Sequence, residues 1–167
     1  MNIAIVGATG NVGRKTLEVL EKKELSIGNL YLIASSKSAG KKISFKGKDY
    51  EIFDLESFDF SKVKIAFFAA GGKISEKFAE RAAKHCIVID NSSFYRMDID
   101  VPLIVPQVNS DDLKDTKKNI IANPNCSTAQ LVIVLKPLHD LFTIKRVVVS
   151  TYQSVSYTHL TLPTKCW

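Results

Sequence analysis

The stretch Gly7-Ala8-Thr9-Gly10-Asn11-Val12-Gly13 constrains this chain more than any other. It follows a short apolar run, Asn2–Val6, and leads into Val12–Lys23, where apolar Val12, Leu17, Val19 and Leu20 alternate with charges at helical spacing. A strand that turns through glycines into a helix lets the backbone approach a ligand closely. The helix start adds unpaired N–H groups and the positive end of the dipole. The spacing Gly-x-x-Gly-x-x-Gly is a variant of the dinucleotide fingerprint Gly-x-Gly-x-x-Gly. Gly7, Thr9, Gly10, Asn11, Val12 and Gly13 are therefore expected to cradle a pyrophosphate. The competing possibility is a tight turn that needs glycine for conformation alone.

The rest of the chain repeats the strand–turn–helix pattern. Leu30–Ala34 reads as a strand, 35–42 as a polar loop, and Ile43–Phe53 as a hairpin around Lys46-Gly47-Lys48. Val63–Ala69 reads as a strand ending at Gly71-Gly72, Ile74–Lys84 as a helix and Cys86–Ile89 as a buried strand. Asn91–Pro106 is loop-like, with Val101–Val105 as a short strand. Asn119–Ala122 is a strand broken by Pro124-Asn125, Ser127–Leu141 a helix and Arg146–Val155 a β-branched strand. This order predicts an α/β fold, a Rossmann-type doubly wound and mostly parallel sheet.

Length and composition narrow the function. At 167 residues the chain has room for one domain or slightly more. With 46% hydrophobic and 24% charged residues, low-hydrophobicity disorder is excluded. Apolar runs such as Leu131–Leu135 are too short to span a membrane, and the start lacks the basic region of a signal peptide. Three cysteines without metal-type or disulfide-framework spacing fit free thiols in a cytoplasmic chain, and no metal site is expected. A net charge of +6 hints at an anionic ligand, but the lysines are scattered rather than striped, which argues against nucleic acid. After the second strand the chain reads Ala34-Ser35-Ser36-Lys37-Ser38-Ala39-Gly40-Lys41, without the acid that holds a ribose 2′-hydroxyl in NAD sites. Hydroxyls and lysines suit a 2′-phosphate, so NADP is expected over NAD, with Ser35, Lys37 and Ser38 at the phosphate.

Asn123-Pro124-Asn125-Cys126-Ser127-Thr128 carries the chemistry. Cys126 falls where a strand has been broken and a helix begins, and a helix N-terminus stabilises a thiolate. Such a thiolate can attack a carbonyl, while nearby N–H groups and the Asn125 amide hold the oxyanion. A small cysteine at a turn is the plainer alternative. Arg96 lies in the loop after a sheet strand and can grip a carboxylate or phosphate bidentately; otherwise it makes a surface ion pair. Gln153 is an amide in a β-branched strand, placed either for a task or at an exposed edge.

Together these residues resemble the aspartate-semialdehyde dehydrogenase family. The matching blocks are Gly-Ala-Thr-Gly-Asn-Val-Gly (7–13), Ser-Ala-Gly-Lys (38–41), Asp-Asn-Ser-Ser-Phe-Tyr-Arg (90–96), Val-Pro-Gln-Val-Asn (105–109), Asn-Pro-Asn-Cys-Ser-Thr (123–128) and Ser-Thr-Tyr-Gln-Ser-Val-Ser (150–156). The related N-acetyl-glutamyl-phosphate reductases typically read Gly-Cys-Tyr at the nucleophile; Asn125-Cys126-Ser127 argues against them. A non-catalytic NADP-binding module would give no reason for Asn-Cys-Ser-Thr or Gln153. The resemblance implies reduction of L-aspartyl 4-phosphate by NADPH, on the route to lysine (through diaminopimelate), threonine and methionine. Cys126 would displace phosphate to form an acyl thioester, and hydride would release aspartate semialdehyde. It further implies that Thr9–Val12, Lys37 and Ser38 hold NADP and that Ala70 and Gly71 line the nucleotide. Arg96 would hold phosphate and Gln153 would orient the acyl group, in a full-length homodimer or homotetramer.

The likeness ends at Ser156. The family continues with Gly-Ala-Gly and a long substrate and dimerisation region that supplies a catalytic histidine; here the chain runs Tyr157-Thr158-His159-Leu160 to Trp167. The expected organisation is an NADP-binding Rossmann domain over 1–125, the truncated start of an α+β catalytic and dimerisation domain over 126–156, and a translated sequencing adapter over 157–167. His85, His139 and His159 are expected to be structural or incidental, and the polypeptide by itself to have little or no activity.

Overall fold

In the computed structural model, which describes residues 1–23 and 25–152, seven strands form one sheet. They are β1 (Ile3–Val6), β2 (Leu30–Ala34), β3 (Lys42–Phe45), β4 (Lys48–Asp54), β5 (Ile65–Phe68), β6 (Ile87–Asp90) and β7 (Ile120–Ala122). The helices are α1 (Asn11–Lys22), α2 (Gly72–Ala83), α3 (Pro106–Asn109) and α4 (Cys126–Phe142). The strand order is β3-β4-β2-β1-β5-β6-β7. Every ladder is parallel except the β3–β4 hairpin. Without β3, this is the six-stranded order of two mononucleotide-binding halves meeting between β1 and β5.

The period-two alternation of β1 divides the core. Ile3 and Ile5 pack with Leu17 and Leu20 of α1 on one face. Ala4 and Val6 pack with Phe78, Ala79 and Ala82 of α2 on the other. Tyr31 and Ile33 of β2 join the α2 side, while Leu30, Leu32 and Ala34 join the α1 side. Both faces of the central strands are covered, so those strands are apolar throughout instead of alternating with polar residues. This is the doubly wound α/β architecture expected from the sequence.

Three segments depart from expectation. Val101–Val105 is not a strand; it makes one parallel bridge, Leu103 to Ala122. Arg146–Val155 was expected to be a strand, but residues 146–152 have no regular structure, and 153–155 lie outside the described residues. The physical reason is that a strand needs a partner, and no ladder among the described residues joins 146–152 to any of the seven strands. Residues 106–115, of which only Pro106 was assigned from the sequence and as loop, form α3 and a 3-10 turn over Ser110–Asp115. Pro106 opens α3 at a first-turn position where its missing N–H costs nothing.

Candidate active site

The carboxyl ends of the parallel strands surround a cleft of about 810 Å³. Val6, Gly7, Thr9, Gly10, Asn11 and Val12 line it from the first turn, Ala34, Ser35 and Ser36 from the end of β2, and Ala69, Ala70 and Gly71 from the end of β5. It stands at the switch point between β1 and β5, where open α/β sheets take ligands.

Sterics explain the glycines. A Cβ on Gly13 would lie 2.2 Å from the Gly7 carbonyl oxygen, so α1 can reach the turn only with hydrogen at this position. Gly7 has φ +87, and a Cβ there would stand 2.9 Å from the backbone of Ala69. Gly10 caps α1 without a side-chain hydrogen bond, and Gly71, at φ 88, does the same for α2. Two helices thus present first-turn N–H groups, which have no partners within a helix, to one cleft. A cradle of bare backbone and paired helix starts fits the pyrophosphate of a dinucleotide.

Of the residues singled out for the nucleotide, Gly7, Thr9, Gly10, Asn11, Val12, Ser35, Ala70 and Gly71 line this cleft. Gly13 packs beneath the turn. Lys37 and Ser38 are outside the lining, in the turn where the Ser38 N–H donates to the Ser35 carbonyl at 2.8 Å.

The nicotinamide end of such a ligand would fall toward β6, where Asn91 and Ser92 line the cleft. Here Asp90 is fully buried, yet each of its oxygens is satisfied. Oδ1 accepts from the Ser75 hydroxyl at 2.7 Å and from the Ser92 N–H at 3.0 Å; Oδ2 accepts from the Ser92 hydroxyl at 2.7 Å. The network joins the first turn of α2 to the loop that carries Arg96. Tyr95, buried beside it, is pushed up to about 12 by burial first and then by the carboxylates of Glu80, Asp90, Asp98 and Glu76, so it remains a neutral phenol.

Arg96 is half-buried. Its Nε donates to the Asn123 carbonyl at 2.9 Å and its Nη2 to the Asn91 carbonyl at 3.2 Å. The Asn123 amide nitrogen donates to the Asn91 side-chain oxygen at 2.7 Å. The ends of β6 and β7 are thereby locked together three residues before Cys126. Cys126 is exposed and is the first residue of α4. Asn125 caps that helix: its Oδ1 accepts from the Ser127 N–H at 3.0 Å and the Ser127 hydroxyl at 2.8 Å, and lies 3.5 Å from the Cys126 sulfur. With its carbonyl oxygen engaged, Asn125 has its amide N–H₂ to offer a ligand. Gln153 lies outside the described residues, as does the 157–167 tail.

Sequence reasoning missed the Asp90–Ser75–Ser92 network and the acids Asp54 and Glu56, which line the cleft from the end of β4. An acid closing an apolar strand with a serine two residues on was a legible turn signal. Ser75 gave none, because only the fold brings it to Asp90. Among the described residues no group of three or more metal-ligating side chains occurs, and no helix is long and apolar enough to cross a membrane.

Residues 2–116 match the family model described as semialdehyde dehydrogenase, NAD binding domain. The chain is 50% identical over 157 residues to an aspartate-semialdehyde dehydrogenase of Shewanella violacea, covering 93% of this chain and 46% of that protein. It is 55% identical over 157 residues to that of Aquifex aeolicus, covering 92% and 46%. The structure of aspartate semialdehyde dehydrogenase II from Vibrio cholerae complexed with ASA superposes with a TM-score of 0.81 at 49% identity, covering 83% of this chain and 46% of that one. An aspartate semialdehyde dehydrogenase with NADP from Candida albicans gives 0.68 at 30% identity, covering 85% and 48%. The chain therefore spans about half the length of these relatives.

Proposed function

The chain belongs to the semialdehyde dehydrogenase family, whose NAD-binding domain it carries, and on that premise we propose that it is the cofactor-binding half of an NADP-dependent aspartate-semialdehyde dehydrogenase with Cys126 as nucleophile. The observation that carries this reading is the placement of Cys126. It opens α4 under an Asn125 cap, and Arg96 is fastened to the Asn123 carbonyl beside it, next to the end of the dinucleotide cleft.

The Cys126 thiolate adds to the acyl carbon of L-aspartyl 4-phosphate. The carbon–oxygen bond to phosphate breaks, phosphate leaves with the electron pair, and a thioester remains. The Asn125 amide and the first-turn N–H groups of α4 stabilise the oxyanion. Arg96, with two donors spent on backbone carbonyls, keeps its remaining N–H groups for the phosphate. NADPH, when bound, supplies the hydride that reduces the acyl carbon. Cys126 then departs as thiolate and frees aspartate semialdehyde, with Gln153 orienting the acyl group. Cofactor choice rests on Ser35, Lys37 and Ser38 after β2, in a stretch without acids. The segment from Cys126 onward begins the catalytic and dimerisation part of the protein, and α4 contributes no residue to the buried core.

Three measurements test this. Calorimetric titration of the chain should show tighter binding of NADP than of NAD, with Lys37→Ala narrowing the difference; equal or reversed affinity overturns the cofactor assignment. The polypeptide of its relatives' full length, given aspartate semialdehyde and NADP without phosphate, should show an acyl adduct on Cys126 by mass spectrometry. Undiminished turnover in Cys126→Ala overturns the nucleophile. The 167 residues alone should bind NADP without turnover. Among the described residues, His85 lies in the turn two residues before β6 and His139 in the last turn of α4, and neither is given an acid–base role.

A further inference from the structure

The cleft's outer end carries a carboxylate that the reaction does not use. With pyrophosphate on α1 and the 2′ position at the end of β2, the sheet order places one further strand, β4, on the adenosine side. Asp54 ends β4 in register with Ala34 of β2, and the Leu55 N–H donates to the Ala34 carbonyl at 3.0 Å. Asp54, Leu55 and Glu56 all line the cleft.

This segment is held rigidly. Arg81 of α2 donates to the carbonyls of Glu56 at 2.9 Å and Leu55 at 2.6 Å, and its guanidinium lies over the rings of Phe60 and Phe78 at 5.5 and 5.0 Å. The two acids differ. Glu56 is paired with Lys77 at 2.7 Å. Among the described residues Asp54 has no ion-pair partner. Its Oδ1 accepts from the Glu56 N–H at 3.2 Å, which fixes the carboxyl and leaves Oδ2 as an acceptor at the cleft wall.

We infer that Asp54 reads the base of the bound dinucleotide, its carboxylate accepting a hydrogen bond from the exocyclic amino group of adenine. A carboxylate is acceptor-only, and that amino group is the one donor on the adenine ring. The same carboxylate would repel the oxo group that hypoxanthine carries in its place. Position separates this role from 2′-phosphate binding: the phosphate falls at the serines ending β2, and an anion one strand farther out cannot serve it. The inference rests on the dinucleotide reading of the cleft and goes beyond it in assigning base selectivity.

The test is calorimetric titration of the chain with NADP and with nicotinamide hypoxanthine dinucleotide phosphate. The unaltered chain should prefer NADP by about 10- to 100-fold, the range for one hydrogen bond to a charged group. In Asp54→Asn the Glu56 N–H keeps the side-chain oxygen, so the amide nitrogen replaces Oδ2, and the preference should vanish or invert. Asp54→Ala should level the two nucleotides, and Glu51→Gln, on β4 but outside the cleft lining, should leave the preference intact. An unchanged NADP preference in both Asp54 variants, with both nucleotides still bound, overturns base reading and leaves the cleft assignment standing. Failure of the unaltered chain to bind either nucleotide overturns the cleft assignment and this inference with it.

Discussion

At Gly13 a single hydrogen atom decides whether α1 can meet the turn beneath it. Any side chain would put a Cβ 2.2 Å from the Gly7 oxygen, a contact with backbone on both sides that no rotamer relieves. Gly13→Ala should therefore lower stability by about 1–3 kcal/mol, the range for an overpacked interior. It should also abolish dinucleotide binding, because the displaced turn is the ligand's floor. Gly47 offers the control. It has φ +73 and open space around it, so Gly47→Ala should cost about 1–2 kcal/mol for left-handed backbone and leave binding untouched. Urea unfolding and NADP titration of both variants check the pair; equal binding losses would remove the steric account. These glycines were legible in the sequence because their requirement is local. The helix start at Cys126 was legible for the same reason, since Pro124 and Asn125 announce it on their own. Asp54 was not: its importance depends on β4 lying beside β2, which no neighbour in sequence records.

At the scale of elements, the β6 end of the cleft is braced by a buried carboxylate that has no ion-pair partner among the described residues. Asp90 ties α2 to the 91–96 loop through Ser75 and Ser92. Such a group is stable only while every donor remains. Ser75→Ala should cost about 1–2 kcal/mol and Asp90→Ala about 3 kcal/mol, the latter leaving two buried serine hydroxyls without their acceptor. The double variant should fall short of the sum by at least about 0.5 kcal/mol, as coupled sites do. Denaturant melts of the four proteins measure this, and strict additivity would show that Ser75 and Asp90 act separately. The elements around this network were read correctly from periodicity: β5, α2, β6 and β7 all lie where their apolar spacing placed them. The error at 146–152 has the opposite origin. Val147, Val148 and Val149 have strand-like side chains, but a strand also needs a partner, and among the described residues no strand pairs with them. The 106–115 turns escaped notice because ten residues of mixed polarity carry no period.

For the molecule as a whole, pH dependence follows from what the α2-side core encloses. Cys86 and Tyr95 both belong to it. Burial pushes the Cys86 thiol up to about 11 from an ordinary 9.0, and burial with neighbouring carboxylates pushes Tyr95 up to about 12 from 10.0. A raised value in the folded state means the unfolded chain loses its proton first. Well below pH 9 both groups are protonated in either state, and stability is unaffected by them. As pH rises, ionisation of the unfolded thiol and then of the unfolded phenol draws the equilibrium toward unfolding. The loss runs through the 9–11 window for Cys86 and 10–12 for Tyr95, at about 2–3 kcal/mol each when complete. Thermal melts between pH 8 and pH 11 should show a falling midpoint above pH 9. Cys86→Ala should start from a lower midpoint, because it leaves a small cavity, yet decline less steeply over the first part of that range. A midpoint constant to pH 11 in the unaltered chain would mean that both groups reach solvent. The core between the sheet and α2 would then be open to water, and that same core holds Val6 and Phe78, which line the nucleotide cleft. The alkaline limb therefore reports on the closure of the core that supports the site, and it should steepen in Ser75→Ala, where α2 has lost its tie to Asp90.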